Sequence, residues 1–275
     1  MDSVSGNSWL LAGTLSRAMQ EHRAALITYM PAGFPTLDEG IALIQAMLDS
    51  GADLVEVGLP HSDPVLDGPI IQAADDIALR GGVRIAGVIR TVREAYQASG
   101  KPVLVMSYWN PVERYGAERF CTELAGAGGA GCILPDLPVQ ESAPWRESAA
   151  RHGLATVFMV APSTADERLR EIAAAGSGFI YAASLMGITG VRESVNAAAG
   201  SLVRRVRATT ELPVCVGIGI SDASQAAQVA GFADGVIVAS ALVKAVLDAP
   251  DAATGRVAVR KLTTELRHAV CRRTE

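Results

Sequence analysis

The sequence predicts an α/β protein, a single (β/α)8 TIM barrel with an extra N-terminal helix. Three observations carry that expectation. Eight short β-branched runs alternate with Ala-rich, charge-bearing helical stretches from residue 25 onward. Most of those runs are nearly all apolar, as parallel strands covered on both faces are. The chain has 275 residues, and barrels of about 250 residues are routinely one domain. A doubly wound open sheet is the alternative, but it prefers fewer strands and a Gly-rich fingerprint after the first. PAGFPT at 31–36 is no such fingerprint.

In chain order, Asn7–Glu21 reads as an amphipathic helix capping the bottom of the barrel. The strand runs are Ala25–Met30, Asp53–Gly58, Pro102–Ser107, Gly131–Pro135, Thr156–Val160, Gly178–Ala183, Pro213–Gly217 and Asp234–Val238. Helical candidates between them include Leu37–Ser50, Ile85–Ala98, Ala117–Ala125, Glu141–His152, Ala165–Ala174, Ala197–Thr209 and Asp222–Ala230. Several end in glycine (Gly51, Gly100, Gly153, Gly176), the stop chemistry expected before the next strand. Leu242–Leu247 and Arg256–Val270 close the ring. One domain is expected over 1–275, with a core from about residue 10 to 270 and frayed termini.

Bulk properties narrow the function classes. Hydrophobic residues make up 49% and the mean hydropathy is +0.26, ample for a core. A net charge of −5 and a pI near 5.5 argue against a nucleic-acid footprint, which needs clustered Lys and Arg. Cys121, Cys132, Cys215 and Cys271 lie far apart with no C-x-x-C spacing, so they read as small hydrophobes in a reducing compartment. Residues 1–24 lack a basic region followed by an apolar one, and no apolar run reaches membrane-spanning length. The expectation is a cytoplasmic protein with no membrane and no nucleic-acid partner.

In a barrel, chemistry sits at the C-terminal ends of the strands and in the loops that follow. Residues 54–69, LVEVGLPHSDPVLDGP, are the most informative stretch of the chain. Glu56 places a carboxyl on a core strand, which is costly unless the group is paired, solvated or kept neutral. Asp67 follows in the next loop. Read alone, Glu56 fits half of a structural ion pair and Asp67 a turn residue; proton chemistry is the other reading. After strand seven comes GIGIS at 217–221, and after strand eight Ala239–Ser240 opens a short helix. Two such loops, with Thr189–Gly190 after strand six, suit a phosphate held by backbone N–H groups and a helix terminus. There is no P-loop, so a nucleotide triphosphate is not indicated.

With those residues assembled, the chain closely resembles the tryptophan synthase α-subunit family, from about residue 10 to 248. The resemblance rests on PAGFPT at 31–36, VEVGLPHSDPVLDGPIIQ at 55–72, MSYWNPVERYG at 106–116, PDLPVQES at 135–142, GITG at 187–190 and GIGIS. It implies cleavage of indole-3-glycerol phosphate to indole and glyceraldehyde 3-phosphate. Glu56 matches the family's catalytic glutamate, which protonates C3 of the indole. Asp67 matches the aspartate that faces the indole N1–H. Phosphate contacts fall on Gly190, Gly219, Ala239 and Ser240. Phe34, Tyr108, Pro135, Tyr181 and Ile218 are expected around the indole, although core packing also explains the aromatic ones. Thr189 matches a threonine that touches Asp67 when the loops close.

The chain departs from the family pattern at Leu185, where many members carry arginine, and at Ala239, where glycine is usual. The added methyl at Ala239 is expected to narrow the phosphate pocket or to exclude a positive φ.

The resemblance further implies a β-subunit partner in an α2β2 heterotetramer, with pyridoxal phosphate held only by that partner and no cofactor in this chain. The segments near Tyr108–Pro111 and Asp136–Pro138 are the candidate partner-facing surface. Lys101 precedes a strand and Lys244 lies in a helix, neither an obvious Schiff-base lysine. No metal is expected, since no His and carboxylate pair stands at ligand spacing. His61, between the two carboxylates in sequence, reads as a packing residue. The competing readings are a stand-alone lyase that releases free indole, a weakly catalytic barrel that mainly activates its β partner, and a phosphosugar isomerase sharing only the phosphate loops.

Overall fold

The computed structural model describes residues 6–183, 192–217 and 219–271. Its strands are β1 (Ala25–Pro31), β2 (Leu54–Gly58), β3 (Val103–Met106), β4 (Gly131–Ile133), β5 (Ala155–Val160), β6 (Ile180–Ala183), β7 (Val214–Gly217) and β8 (Gly235–Val238). All pair in parallel in sequence order, and β8 pairs with β1 to close the barrel. Every predicted run overlaps its strand, with ends displaced by at most two residues; β1 extends to Pro31 and β5 begins at Ala155, each one residue outside its run.

The helices are α1 (Ser8–Gln20), α2 (Leu37–Asp49), α3 (Pro69–Arg80), α4 (Ile85–Ser99), α5 (Trp109–Tyr115) and α6 (Ala117–Gly126), then α7 (Ala143–Arg151), α8 (Asp166–Ala175), α9 (Arg192–Arg207), α10 (Ala223–Ala230), α11 (Ser240–Leu247) and α12 (Ala252–Ala269). Two of these were not anticipated: α3, with Pro69 in its first turn, and the short α5. The stretch expected as one helix from Glu141 to His152 is a 3-10 turn, Val139–Glu141, followed by α7, because Pro144 lacks an N–H and is accommodated in a first turn. Helix α9 begins at Arg192, earlier than expected.

Side chains alternate across each strand, and the two faces pack separately. The inward set includes Ala25, Ile27, Leu54, Leu104, Ile133, Val157, Phe179, Tyr181, Cys215 and Ile237. Leu11, Leu15 and Ala18 of α1 join this inner cluster and are fully buried, so α1 closes one end of the barrel as its amphipathic pattern predicts. Outward strand residues such as Val55, Val57, Val105 and Val236 pack under the helices in the larger cluster. At the closed end Asp53 accepts from Arg23 at 2.6 and 2.8 Å and from the Leu26 N–H at 2.8 Å, tying the starts of β1 and β2 together. Cys121, Cys132 and Cys215 are buried free thiols and Cys271 is exposed.

Candidate active site

Glu56 lies in the middle of β2 between Val55 and Val57, which pack outward. It therefore shares the inward face with Leu54 below it and Gly58 above it. Its register partners are Tyr29 on β1 and Leu104 on β3. Only 1% of its surface is exposed, and its Oε1 has no hydrogen-bond partner among the described residues. Burial, with no cation to offset it, pushes its pKa from 4.5 up to about 8. Glu56 is thus a neutral acid at neutral pH, and the structural ion-pair alternative finds no partner among the described residues.

A cavity of about 340 Å³, within the size range of small-molecule sites, is lined by Tyr29, the register partner of Glu56, but not by Glu56 itself. Leu59, Met106, Met159, Val160 and Ala183 supply apolar wall, Tyr108 and Pro135 add flat surface, and Tyr29, Asp67 and Asp75 supply polar groups. Gly58 lets this wall form: a Cβ there would stand 2.2 Å from the Tyr29 hydroxyl.

Asp67 is held from several sides. The Tyr108 hydroxyl donates to its Oδ2 at 3.0 Å and accepts from the Leu66 N–H at 2.9 Å. Gln72 Nε2 donates to the Asp67 carbonyl at 2.8 Å. The His61 ring stacks on Tyr108 at 4.7 Å between centroids, the packing position expected for it. Burial raises the Asp67 pKa, while the Tyr108 hydrogen bond and the charge of His61 pull it down.

Asp75, on α3, is a third carboxyl in the same wall and was not singled out from the sequence. It is 3% exposed, its Oδ1 is unpartnered among the described residues, and the His61 N–H approaches its Oδ2 at 3.5 Å. Burial, then the neighbouring Asp67 charge, raise its pKa to about 7. Tyr29 was missed as well; burial and then the charges of Asp75, Asp67 and Glu56 raise its pKa.

The anion-binding candidates sit on the neighbouring loops. Gly219 has φ 69°, in the left-handed region that favours glycine. Helix α10 satisfies its own terminus, since Asp222 accepts from the Gln225 N–H at 2.9 Å. Helix α11, starting at Ser240, has no side-chain cap, so its first N–H groups are left for an anion. Ala239 precedes it at φ −116°, so the residue needs no positive φ and alanine fits without backbone strain.

Of the aromatic candidates, Tyr108 lines the cavity together with Pro135. Phe34 is 1% exposed in the outer cluster, and Tyr181 packs in the inner cluster against Gly217; neither lines the cavity. Thr189, Gly190, Ile218 and Leu185 lie outside the described residues.

An apolar cavity that bears Asp67 and Asp75, a buried neutral acid on β2 and an uncapped helix terminus after β8 together suit an aromatic substrate with a phosphate tail. The family model for the tryptophan synthase alpha chain matches residues 15–271. This chain belongs to the tryptophan synthase alpha chain family. Tryptophan synthase alpha chains of Streptomyces avermitilis and Streptomyces coelicolor are 73% and 71% identical to it. Those matches cover 94% and 96% of this chain and 93% and 97% of the relatives. Among solved structures, Mycobacterium tuberculosis tryptophan synthase in an open form with BRD0059 bound is similar at TM-score 0.88 and 42% identity, over 96% of this chain and 99% of that one. Tryptophan synthase subunit alpha from Legionella pneumophila is similar at TM-score 0.88 and 32% identity, over 95% and 98%. Within the family frame, the described helices contain none long and apolar enough to cross a membrane.

Proposed function

We infer that this alpha chain is a lyase that cleaves indole-3-glycerol phosphate to indole and glyceraldehyde 3-phosphate, the α reaction of tryptophan synthase, with Glu56 and Asp67 as its catalytic carboxyls. The observation that carries the residue assignment is the contrast between them. One is neutral and buried on β2, and the other is clamped by Tyr108 at the cavity wall.

Glu56 donates its proton to C3 of the indole, which becomes tetrahedral while N1 gains positive character. Asp67 offsets that charge from the N1–H side, using the oxygen not engaged by Tyr108. The C3–C3′ bond then breaks and its electron pair returns to the ring. The C3′ hydroxyl loses its proton to the Glu56 carboxylate as the aldehyde forms, so Glu56 ends as it began. Gly219 and the first N–H groups of α11, at Ser240, hold the phosphate, with Ala239 supplying a backbone donor. Gly190 and Thr189 are assigned to the same phosphate loop and to the closing contact on Asp67. Phe34, Tyr181 and Ile218 are assigned as substrate-facing on the family pattern alone, since Phe34 and Tyr181 are buried outside the cavity lining.

The chain works with a β subunit, and we place that partner over the cavity mouth in an α2β2 assembly, with pyridoxal phosphate confined to the partner. Val65 and Leu66, 83% and 60% exposed on the Asp67 loop, support a docking surface there. Asp67→Asn tests the assignment: it should slow indole release on the order of a hundredfold while substrate still binds. A rate within twofold of the unchanged chain would sink the Asp67 role.

A further inference from the structure

The peptide between Tyr108 and Trp109 is pinned at both polar ends. Its N–H donates to the Asp136 carboxylate at 2.8 and 3.1 Å, and its carbonyl accepts from the Ser107 hydroxyl at 2.8 Å. Asp136 comes from the β4 loop, so it caps α5 from a different element; Tyr108, at the N-cap, makes no side-chain cap of its own. This peptide is the root of the Tyr108 side chain, whose hydroxyl makes two of the hydrogen bonds fixing Leu66 and Asp67. The loop they hold carries the exposed residues Val65 and Leu66, and has little packing of its own.

We propose that Asp136 is a positioning residue: its carboxylate fixes the Tyr108–Trp109 peptide, and through the Tyr108 hydroxyl it sets the orientation of Asp67. The inference rests on the assignment of Asp67 to the indole N1–H. Asp136 itself is exposed and stands apart from the cavity lining, so it acts without touching substrate. A charge-assisted hydrogen bond to a backbone N–H is stronger than a neutral one and holds a peptide plane closely. Small displacements of a catalytic group are costly in rate.

The test uses the full chain and three variants, Asp136→Ala, Asp136→Asn and Tyr108→Phe, together with the Asp136→Ala/Tyr108→Phe double variant. Asp136→Ala should lower kcat about tenfold with KM changed less than about twofold. Asp136→Asn, which keeps an acceptor oxygen, should restore most of the rate. If Asp136 acts through the Tyr108 hydroxyl, the double variant should be no slower than Tyr108→Phe alone. Additive losses, a loss confined to KM, or no loss would overturn the proposal. Hydrogen exchange at the Leu66 amide gives a readout independent of turnover, and Asp136→Ala should accelerate it. If the unchanged chain released no indole, the reaction assignment would fail, while unaltered Leu66 exchange would separately overturn the positioning role.

Discussion

Glu56 on β2 and Tyr29 on β1 are register partners facing into the barrel, so the acid's cross-strand neighbour is a phenol and not a cation. Burial alone therefore sets its titration, and the group holds its proton through neutrality. A buried neutral carboxyl with an unpartnered oxygen is a stability cost, which an active site tolerates when the proton is the reagent.

That cost predicts a trade-off in Glu56→Gln. The folded-state pKa of about 8 lies above the ordinary 4.5, so the folded chain binds more protons between those values. Stability from this group is then full below about pH 4.5 and declines as pH rises to about 8. The amide variant has no such decline. It should match the unchanged chain near pH 5 and exceed it by on the order of 3 kcal/mol at pH 8.5, read by urea unfolding at both pH values. Equal stabilities at pH 8.5 would contradict the buried-acid reading.

The same proton predicts the alkaline limb of activity. Turnover needs protonated Glu56 and ionised Asp67, so kcat/KM, which reports the free chain, should fall above about pH 8 as Glu56 ionises. The acid limb should lie above the ordinary aspartate range, since burial raises Asp67. A rate still rising at pH 9.5 would remove Glu56 as the proton donor.

Asp75 makes a stability prediction of its own. Its pKa of about 7, raised from 3.8, means the folded chain gives up stability as pH rises across that interval. Asp75→Asn should raise Tm at pH 8 and leave it nearly unchanged at pH 3.5. A lower Tm at pH 8 would show that the ionised carboxylate has a partner that stabilises it.

At the phosphate loops, glycine matters at one position and not at the other. Gly219→Ala should cost roughly 1–2 kcal/mol of loop strain at φ 69° and raise KM for the phosphorylated substrate. Ala239→Gly, at φ −116°, should alter KM less than about twofold. The reverse ranking would move the phosphate away from Gly219.

The barrel was legible because most strand runs are short and apolar on both faces, and eight of them alternate with helical stretches. Glu56 stood out as an acid on an otherwise apolar strand, whereas Asp67 alone reads as a turn residue and gained its role from the family resemblance. Asp75 did not, because the pair Asp75–Asp76 in an unrecognised helix reads as a solvated face, and only the docking of α3 on the barrel buries it. Tyr29 is indistinguishable by pattern from a packing aromatic until Gly58 is seen beneath its hydroxyl. The Asp136 link is likewise tertiary, joining the β3 and β4 loops through a backbone N–H that no side-chain motif reports.

The most direct measurement is indole release from indole-3-glycerol phosphate by the purified chain and its Glu56→Gln variant, each with and without a β subunit. The account predicts turnover by the unchanged chain, a higher rate with the partner, and a loss of at least about a hundredfold in the variant under both conditions. A variant that releases indole at the rate of the unchanged chain would contradict it.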